Sequence, residues 1–216
     1  MTVEVLIPAY NEEKNIGRVI ASLKKLSLID KIIVIDDGSK DKTAIIARQL
    51  KAHVISLGEN RGKGAALFEG FKSSRGDIIV FLDADLVNLT AKHVINLLLP
   101  VIKEEAVMTV GIFNQGRFAT DFAQKITPFL SGQRAFQRWF LEEFFAENDD
   151  IEQLRYGIEV SLTLYARKRG IKVIEVPLPH LTHVMKEEKL GLIPGMVARA
   201  KMYRDIVFSF GSKLKF

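Results

Sequence analysis

The 216-residue sequence contains no cysteine. This excludes disulfides, thiolate metal sites and cysteine nucleophiles, and it fits a reducing compartment. No stretch reaches the roughly 18 apolar residues needed to span a bilayer. Met1 leads straight into a strand-like run, Val3–Ile7, without the basic start or small-residue cleavage site of a secretory signal. The expected location is the cytoplasm, with peripheral contact to a membrane left open. There is no arginine-rich arm and no interleaving of aromatic and basic residues, so nucleic acid is not an expected partner. No Gly-x-Ser-x-Gly elbow supports hydrolase chemistry. Internal repeats, low-complexity tracts and linkers are also lacking.

What remains has an ordinary globular balance, 48% hydrophobic and 26% charged. That is enough to bury the core of one large domain or two small ones. The formal charge is +5 and the pI about 9.3. A modest excess of this kind suits nucleotides, sugar phosphates or an acidic lipid surface.

The first half alternates apolar runs with helical periodicity. Strands are expected at Val3–Pro8, Lys31–Ile35, His53–Leu57 and Ile78–Leu82, and helices at Glu12–Leu26, Thr43–Leu50 and Ala65–Ser73. This order predicts an α/β fold with a mainly parallel sheet flanked by helices. Ligands in such sheets bind beyond the carboxyl ends of the strands. The polar clusters Ala9-Tyr10-Asn11-Glu12, Asp36-Asp37-Gly38-Ser39 and Asp83-Ala84-Asp85 all fall at those ends. The second half is less regular. A strand is expected at Val107–Ile112, one aromatic-rich helix over Phe118–Phe145, a helix at Ile158–Arg169 and a strand at Lys172–Val176. A loop over Pro177–Leu192 and a basic amphipathic helix over Pro194–Phe210 complete the chain.

Asp83 and Asp85 end a strand with one small residue between them, an arrangement that can hold a hard divalent cation or form a solvated turn and cap. Mg²⁺ or Mn²⁺ there would neutralise a departing diphosphate. Asp36 and Asp37 could accept hydrogen bonds from a base or ribose, or simply open a helix. Gly58–Gly64 fails as a phosphate-binding Walker loop because Lys63 and Gly64 stand in inverted order. It fails as a dinucleotide fingerprint because Leu67 replaces the third small residue. It remains a basic loop before a helix N-terminus, suited to an anion. His180 and His183 do not make a zinc site, although one imidazole could join Asp85 as a ligand. His53 and His93 are expected on the surface of a strand and a helix. Glu159, between apolar neighbours at a helix start, is either a cap or a partly buried functional carboxylate.

Together, Pro8-Ala9-Tyr10-Asn11-Glu12, Asp36-Asp37-Gly38-Ser39-x-Asp41, Gly62-Lys63-Gly64 and Asp83-Ala84-Asp85 resemble the family 2 glycosyltransferases. The resemblance implies a GT-A (Rossmann-like) fold, a nucleotide-diphosphate sugar of the UDP-glucose or GDP-mannose type, and a divalent metal. It carries nucleotide binding to Pro8, Tyr10, Glu12, Asp36, Lys63, Asp83 and Ala84, and metal binding to Asp85 with Asp83. Leu130-Ser131-Gly132, Tyr156-Gly157-Ile158-Glu159 and Val176-x-Leu178 ending in His183 resemble the glucosyl-3-phosphoglycerate synthase branch. That likeness makes His183 a metal ligand and gives Arg117, Ser131 and Gly132 to the acceptor, with Glu159 and Asp85 as catalytic residues. Met185 and the glycine-poor segment before Arg117 depart from that branch.

The first 90 residues resemble equally the polyprenyl-phosphate hexosyltransferases, such as dolichol-phosphate mannose synthase, which act at a membrane surface. An inactive nucleotide-sugar-binding protein is the alternative of another class. The expected organisation is a single domain over residues 1–216, with the donor bound by 1–90 and a small anionic or lipid-phosphate acceptor by 91–216. Arg117, Lys125 and Arg134 are expected to form a phosphate-binding cluster in that second half. Lys186 and Lys189, on a mobile loop Thr182–Gly191, are expected to meet donor phosphates. A homodimer is compatible with the sequence.

Overall fold

The structure is a computed structural model, and it describes residues 1–113, 130–148 and 157–184. A seven-stranded sheet has the order β3-β2-β1-β4-β7-β6-β8. Its strands are β1 (Val3–Ala9), β2 (Lys31–Asp36), β3 (His53–Ser56), β4 (Ile78–Phe81), β6 (Met108–Phe113), β7 (Arg134–Gln137) and β8 (Val173–Leu178). Two short strands, β5 (Leu86–Val87) and β9 (Thr182–His183), pair apart from it. The helices are α1 (Ile16–Leu23), α2 (Thr43–Gln49), α3 (Lys63–Ser73), α4 (Ala91–Ile102), α5 (Arg138–Glu147) and α6 (Ile158–Lys168).

The strands alternate between two cores, as a period of two requires for a sheet covered on both faces. Val3, Val5, Ile7, Ile78 and Val80 face one cluster, with Val19 and Ile20 of α1 and Val94 and Leu98 of α4. Leu6, Ile33, Ile35, Ile79 and Phe81 face the other, with Leu67 of α3, Phe140 and Phe144 of α5 and Leu162 of α6. Each of these side chains, fully buried, stabilises the fold by about 1.5–3 kcal/mol. Close approach of α3 depends on Gly70, where a Cβ would stand 2.6 Å from the Cδ1 of Ile35.

β1 pairs in parallel with β2 on one side and β4 on the other, and β2 pairs in parallel with β3. The strand order therefore reverses between β1 and β4. In an open α/β sheet the crevice at that reversal is the ligand site, and Asp83 lies just past the end of β4.

Three sequence expectations need correction. The helix expected over Phe118–Phe145 instead includes β7, antiparallel to both β4 and β6. Arg134, Ala135 and Phe136 are buried whichever way they point, so no alternation marked the strand. The loop expected from Pro177 begins later, since β8 runs to Leu178, and it is interrupted by β9. His93 is buried at the start of α4, where it forms a capping box with Thr90 and contacts the carbonyl of Pro179 at 3.0 Å. The basic helix expected over Pro194–Phe210 lies outside the described residues, as do Lys186 and Lys189.

Candidate active site

Asp83 and Asp85 follow β4. Pairing of β5 with β9 places Leu86 opposite His183, and Val184 donates to the Asp85 carbonyl at 3.2 Å. This two-residue ladder carries His183, nearly 100 positions away in sequence, to the aspartates. Its Nδ1 lies 3.0 Å from Asp85 Oδ1 and its Nε2 3.8 Å from Asp83 Oδ2. Phe113 packs edge-on to the imidazole, with ring centroids 4.8 Å apart. One ligand atom from each of Asp83, Asp85 and His183 falls within 4.8 Å of the others. Burial alone would lower the His183 pKa. The hydrogen bond with Asp85 and the charges of Asp83 and Asp85 more than offset it, so the imidazole titrates above 6.5. Two carboxylates and one imidazole fit Mn²⁺ or Mg²⁺ and are too oxygen-rich for a structural zinc site.

Lys63 opens α3 and joins this cluster. Its ammonium lies 2.5 Å from Asp83 Oδ1 and 2.5 Å from Glu159 Oε1, in the first turn of α6. Burial opposes the charge, but the two carboxylates raise the lysine pKa above its usual 10.5. Glu159 is buried at the edge of the core, as its apolar flanks suggested.

Gly132 completes the packing. A Cβ there would stand 2.5 Å from Lys63 Nζ and 2.7 Å from Asp83 Oδ2. Ser131 is buried, and its carbonyl accepts from Arg134 Nε at 2.8 Å. Arg134 is fully buried and also donates to Thr163 Oγ1 at 2.9 Å. Burial lowers its pKa to about 10 despite the nearby Glu159 charge. It is therefore an internal brace, which corrects its expected place in a phosphate-binding cluster. Arg117 and Lys125 lie outside the described residues.

A second group forms where β1 and β2 end side by side, with Ala9 opposite Asp36. Tyr10 is 44% exposed, Pro8 is half-buried within β1, and Glu12 is buried against the amide of Asn15 at 2.6 Å. Asn11 and Ser39 tie the two loops together: Asn11 N–H donates to Ser39 Oγ, and Lys40 N–H donates to Asn11 Oδ1. Asp36 takes a hydrogen bond from the Ser39 N–H at 3.2 Å. Ala84 packs into the core, leaving its backbone as the part that could meet a ligand.

Two contributors have structural roles that the sequence reading did not give them. Buried Asp37 accepts from the backbone N–H groups of Arg61 at 2.8 Å and Gly62 at 2.9 Å. It thereby fixes the loop that delivers Lys63. Gly38 permits this contact, with φ at +74° and a Cβ that would meet the Glu59 carbonyl carbon at 2.6 Å. Gln133 Nε2 donates to Asp83 Oδ2 at 2.8 Å.

Residues 4–156 match the model of the family described as glycosyl transferase family 2. The chain belongs to that family. An uncharacterized protein of Methanocaldococcus jannaschii is 32% identical over 228 residues, covering 94% of this chain and 92% of that protein. Glucosyl-3-phosphoglycerate synthase of Petrotoga mobilis is 37% identical over 215 residues, covering 80% of this chain. That match spans 63% of the synthase's own length, so the chain corresponds to part of it. An undecaprenyl-phosphate 4-deoxy-4-formamido-L-arabinose transferase of Photorhabdus laumondii is 42% identical over 96 residues, 40% of this chain and 30% of that one. Among solved structures, glucosyl-3-phosphoglycerate synthase of Mycobacterium tuberculosis with Mn²⁺, UDP and glucosyl-3-phosphoglycerate aligns with a TM-score of 0.76 at 28% identity. It covers 98% of this chain and 79% of that chain. The GT-A fold implied by the strand-end motifs is thus this chain's fold.

Proposed function

We propose that this family 2 glycosyltransferase moves a hexose from a UDP-sugar, UDP-glucose foremost, to a small anionic acceptor of the phosphoglycerate class. The observation that carries this is the convergence of Asp83, Asp85 and His183 beside Lys63 and Glu159 at the strand reversal. The Mycobacterium tuberculosis synthase, solved with UDP and Mn²⁺, supports the donor class. In this proposal residues 1–90 of a single domain hold the nucleotide-sugar and residues 91–216 the acceptor.

Asp83, Asp85 and His183 would hold Mn²⁺ or Mg²⁺, which when bound supplies positive charge opposite the departing diphosphate. Pro8, Tyr10, Glu12 and Asp36 line the end of the sheet where the nucleoside is proposed to sit. Lys63 exchanges one of its carboxylate partners for a phosphate oxygen. Charge-assisted contacts of this kind exceed neutral ones in strength. Glu159, released from Lys63, orients the sugar or the acceptor hydroxyl by hydrogen bonding. If the configuration inverts, it serves as general base. Ser131, Gly132 and Arg117 belong to the acceptor side.

The transferase of Photorhabdus laumondii favours a second acceptor, a polyprenyl phosphate at a membrane surface. Among the described residues no helix is long and apolar enough to cross a membrane. The test is a thermal-stabilisation screen of UDP-glucose and GDP-mannose with and without Mn²⁺. Transfer assays then offer 3-phosphoglycerate, a polyprenyl phosphate and neutral glycans. Mn²⁺-dependent stabilisation by UDP-glucose and transfer to phosphoglycerate are expected. Transfer confined to neutral glycans would overturn the acceptor class, and absence of any sugar-nucleotide binding would overturn the donor.

A further inference from the structure

Gln133 is fully buried on the segment between Gly132 and β7. Its backbone is pinned, because its carbonyl accepts the Gly111 N–H at 2.8 Å. Its side-chain Nε2 donates to Asp83 Oδ2 at 2.8 Å. That contact fixes the amide's orientation, since the opposite one would set two acceptors face to face. Oε1 is then a buried acceptor that takes no hydrogen bond from the described residues. It lies one amide width from the Asp83 carboxylate. An unsatisfied buried carbonyl destabilises the fold that holds it and calls for an explanation in the site it borders.

Gly132 supplies the second observation. It has no side chain, so Lys63 Nζ sits directly against this segment. The Gly132–Gln133 segment therefore borders the Lys63–Asp83 pair directly, the point where the donor phosphates are proposed to bind.

We propose that Gln133 is a sugar-binding residue. Asp83 holds its Nε2, and its Oε1 accepts a hydrogen bond from a hydroxyl of the sugar carried by the donor. This rests on the sugar-nucleotide reading above. A site built to bond a substrate hydroxyl discriminates against a ligand lacking it, because its own polar group is otherwise left unpaired. A purely structural role predicts something different. An apolar side chain of the same length would then fill the space, and no ligand preference would change.

The experiment is calorimetry on the full chain with UDP-glucose and with UDP, both with Mn²⁺, in wild type and Gln133→Met. Loss of the Asp83 contact weakens both ligands alike, so the ratio of the two affinities isolates the sugar. The ratio is expected to shift about tenfold against UDP-glucose, the worth of one hydrogen bond. The ligand-free melting temperature is expected to stay level or rise. An unchanged ratio overturns the assignment. Gln133→Leu guards against a Met variant that fails to fold: it also removes Oε1, so the same shift in the ratio supports the assignment and an unchanged ratio overturns it. Wild type that binds neither ligand would sink the donor reading itself, an outcome distinct from wild type that binds both beside a variant with an unchanged ratio.

Discussion

Gly132→Ala adds one methyl group at the most crowded point of the site. The new Cβ would stand 2.5 Å from Lys63 Nζ and 2.7 and 2.8 Å from the two Asp83 carboxylate oxygens. No real Cβ tolerates such distances, so something must move. The Lys63 ammonium ends a flexible chain and can withdraw towards Glu159, its other partner at 2.5 Å. Asp83 cannot withdraw as freely, because Gln133 holds its second oxygen at 2.8 Å. The cost is therefore that of overpacking, about 1–3 kcal/mol. It falls short of the 3–5 kcal/mol, roughly, for stranding a buried charge, since Lys63 keeps one carboxylate. At roughly 2–4 °C per kcal/mol for a chain of this size, the melting temperature should fall by roughly 2–12 °C. Donor affinity in Mn²⁺ should fall as well, because Lys63 is drawn back towards Glu159 and the new methyl crowds the Asp83 carboxylate. Differential scanning calorimetry and ligand titration measure the two effects. An unchanged melting temperature with unchanged donor affinity would refute the placement of Gly132 against the Lys63–Asp83 pair.

Asp37→Ala strips two backbone N–H groups of a charged acceptor, worth about 3–6 kcal/mol together, while Asp37→Asn keeps one acceptor oxygen and should lose less. Urea unfolding checks both variants, and equal midpoints for Asp37→Ala and wild type would contradict the role of Asp37 in the loop. Asp41 is partly buried, which raises its pKa, but hydrogen bonds from Thr43 and the Glu13 N–H outweigh this and hold it below 3.8. A lowered folded-state pKa contributes stability above the unfolded value and loses it as pH falls through the folded one. The stability gap between wild type and Asp41→Asn should therefore be full at neutral pH and shrink below pH 3.8, as melting scans across acid pH would reveal. Glu159→Gln should lower kcat and raise the acceptor KM while leaving donor affinity within a few-fold. A fully active variant would remove Glu159 from the chemistry.

The first four strands and their intervening helices were legible because each carries an apolar run or a helical period bounded by polar turns. The motifs at their ends were legible for the same reason, since Asp36, Lys63 and Asp83 interrupt otherwise apolar or small-residue surroundings. β7 was hidden because it is four residues long and its first three, one of them an arginine, are buried whichever face they point to, so they carry no alternation. The ladder of β5 and β9 was hidden because two residues leave no period at all, although it carries His183 to Asp85. Arg134 is read in the sequence as part of a phosphate-binding cluster with Arg117 and Lys125. Only the fold reveals Ser131 and Thr163 as its partners. Asp37 offered a faint signal as the second carboxylate of a strand-end pair. Gln133 offered none, because its significance lies in the distance to Asp83.

The central claim is that the strand-end cluster is a metal-dependent sugar-nucleotide site. Its most direct test is calorimetric titration of UDP-glucose into wild type and Asp85→Ala, each with and without Mn²⁺. Wild type should bind UDP-glucose strongly only when Mn²⁺ is present, and in Asp85→Ala the metal should add nothing to the affinity. An Asp85→Ala protein that keeps the full Mn²⁺-dependent affinity would contradict the claim.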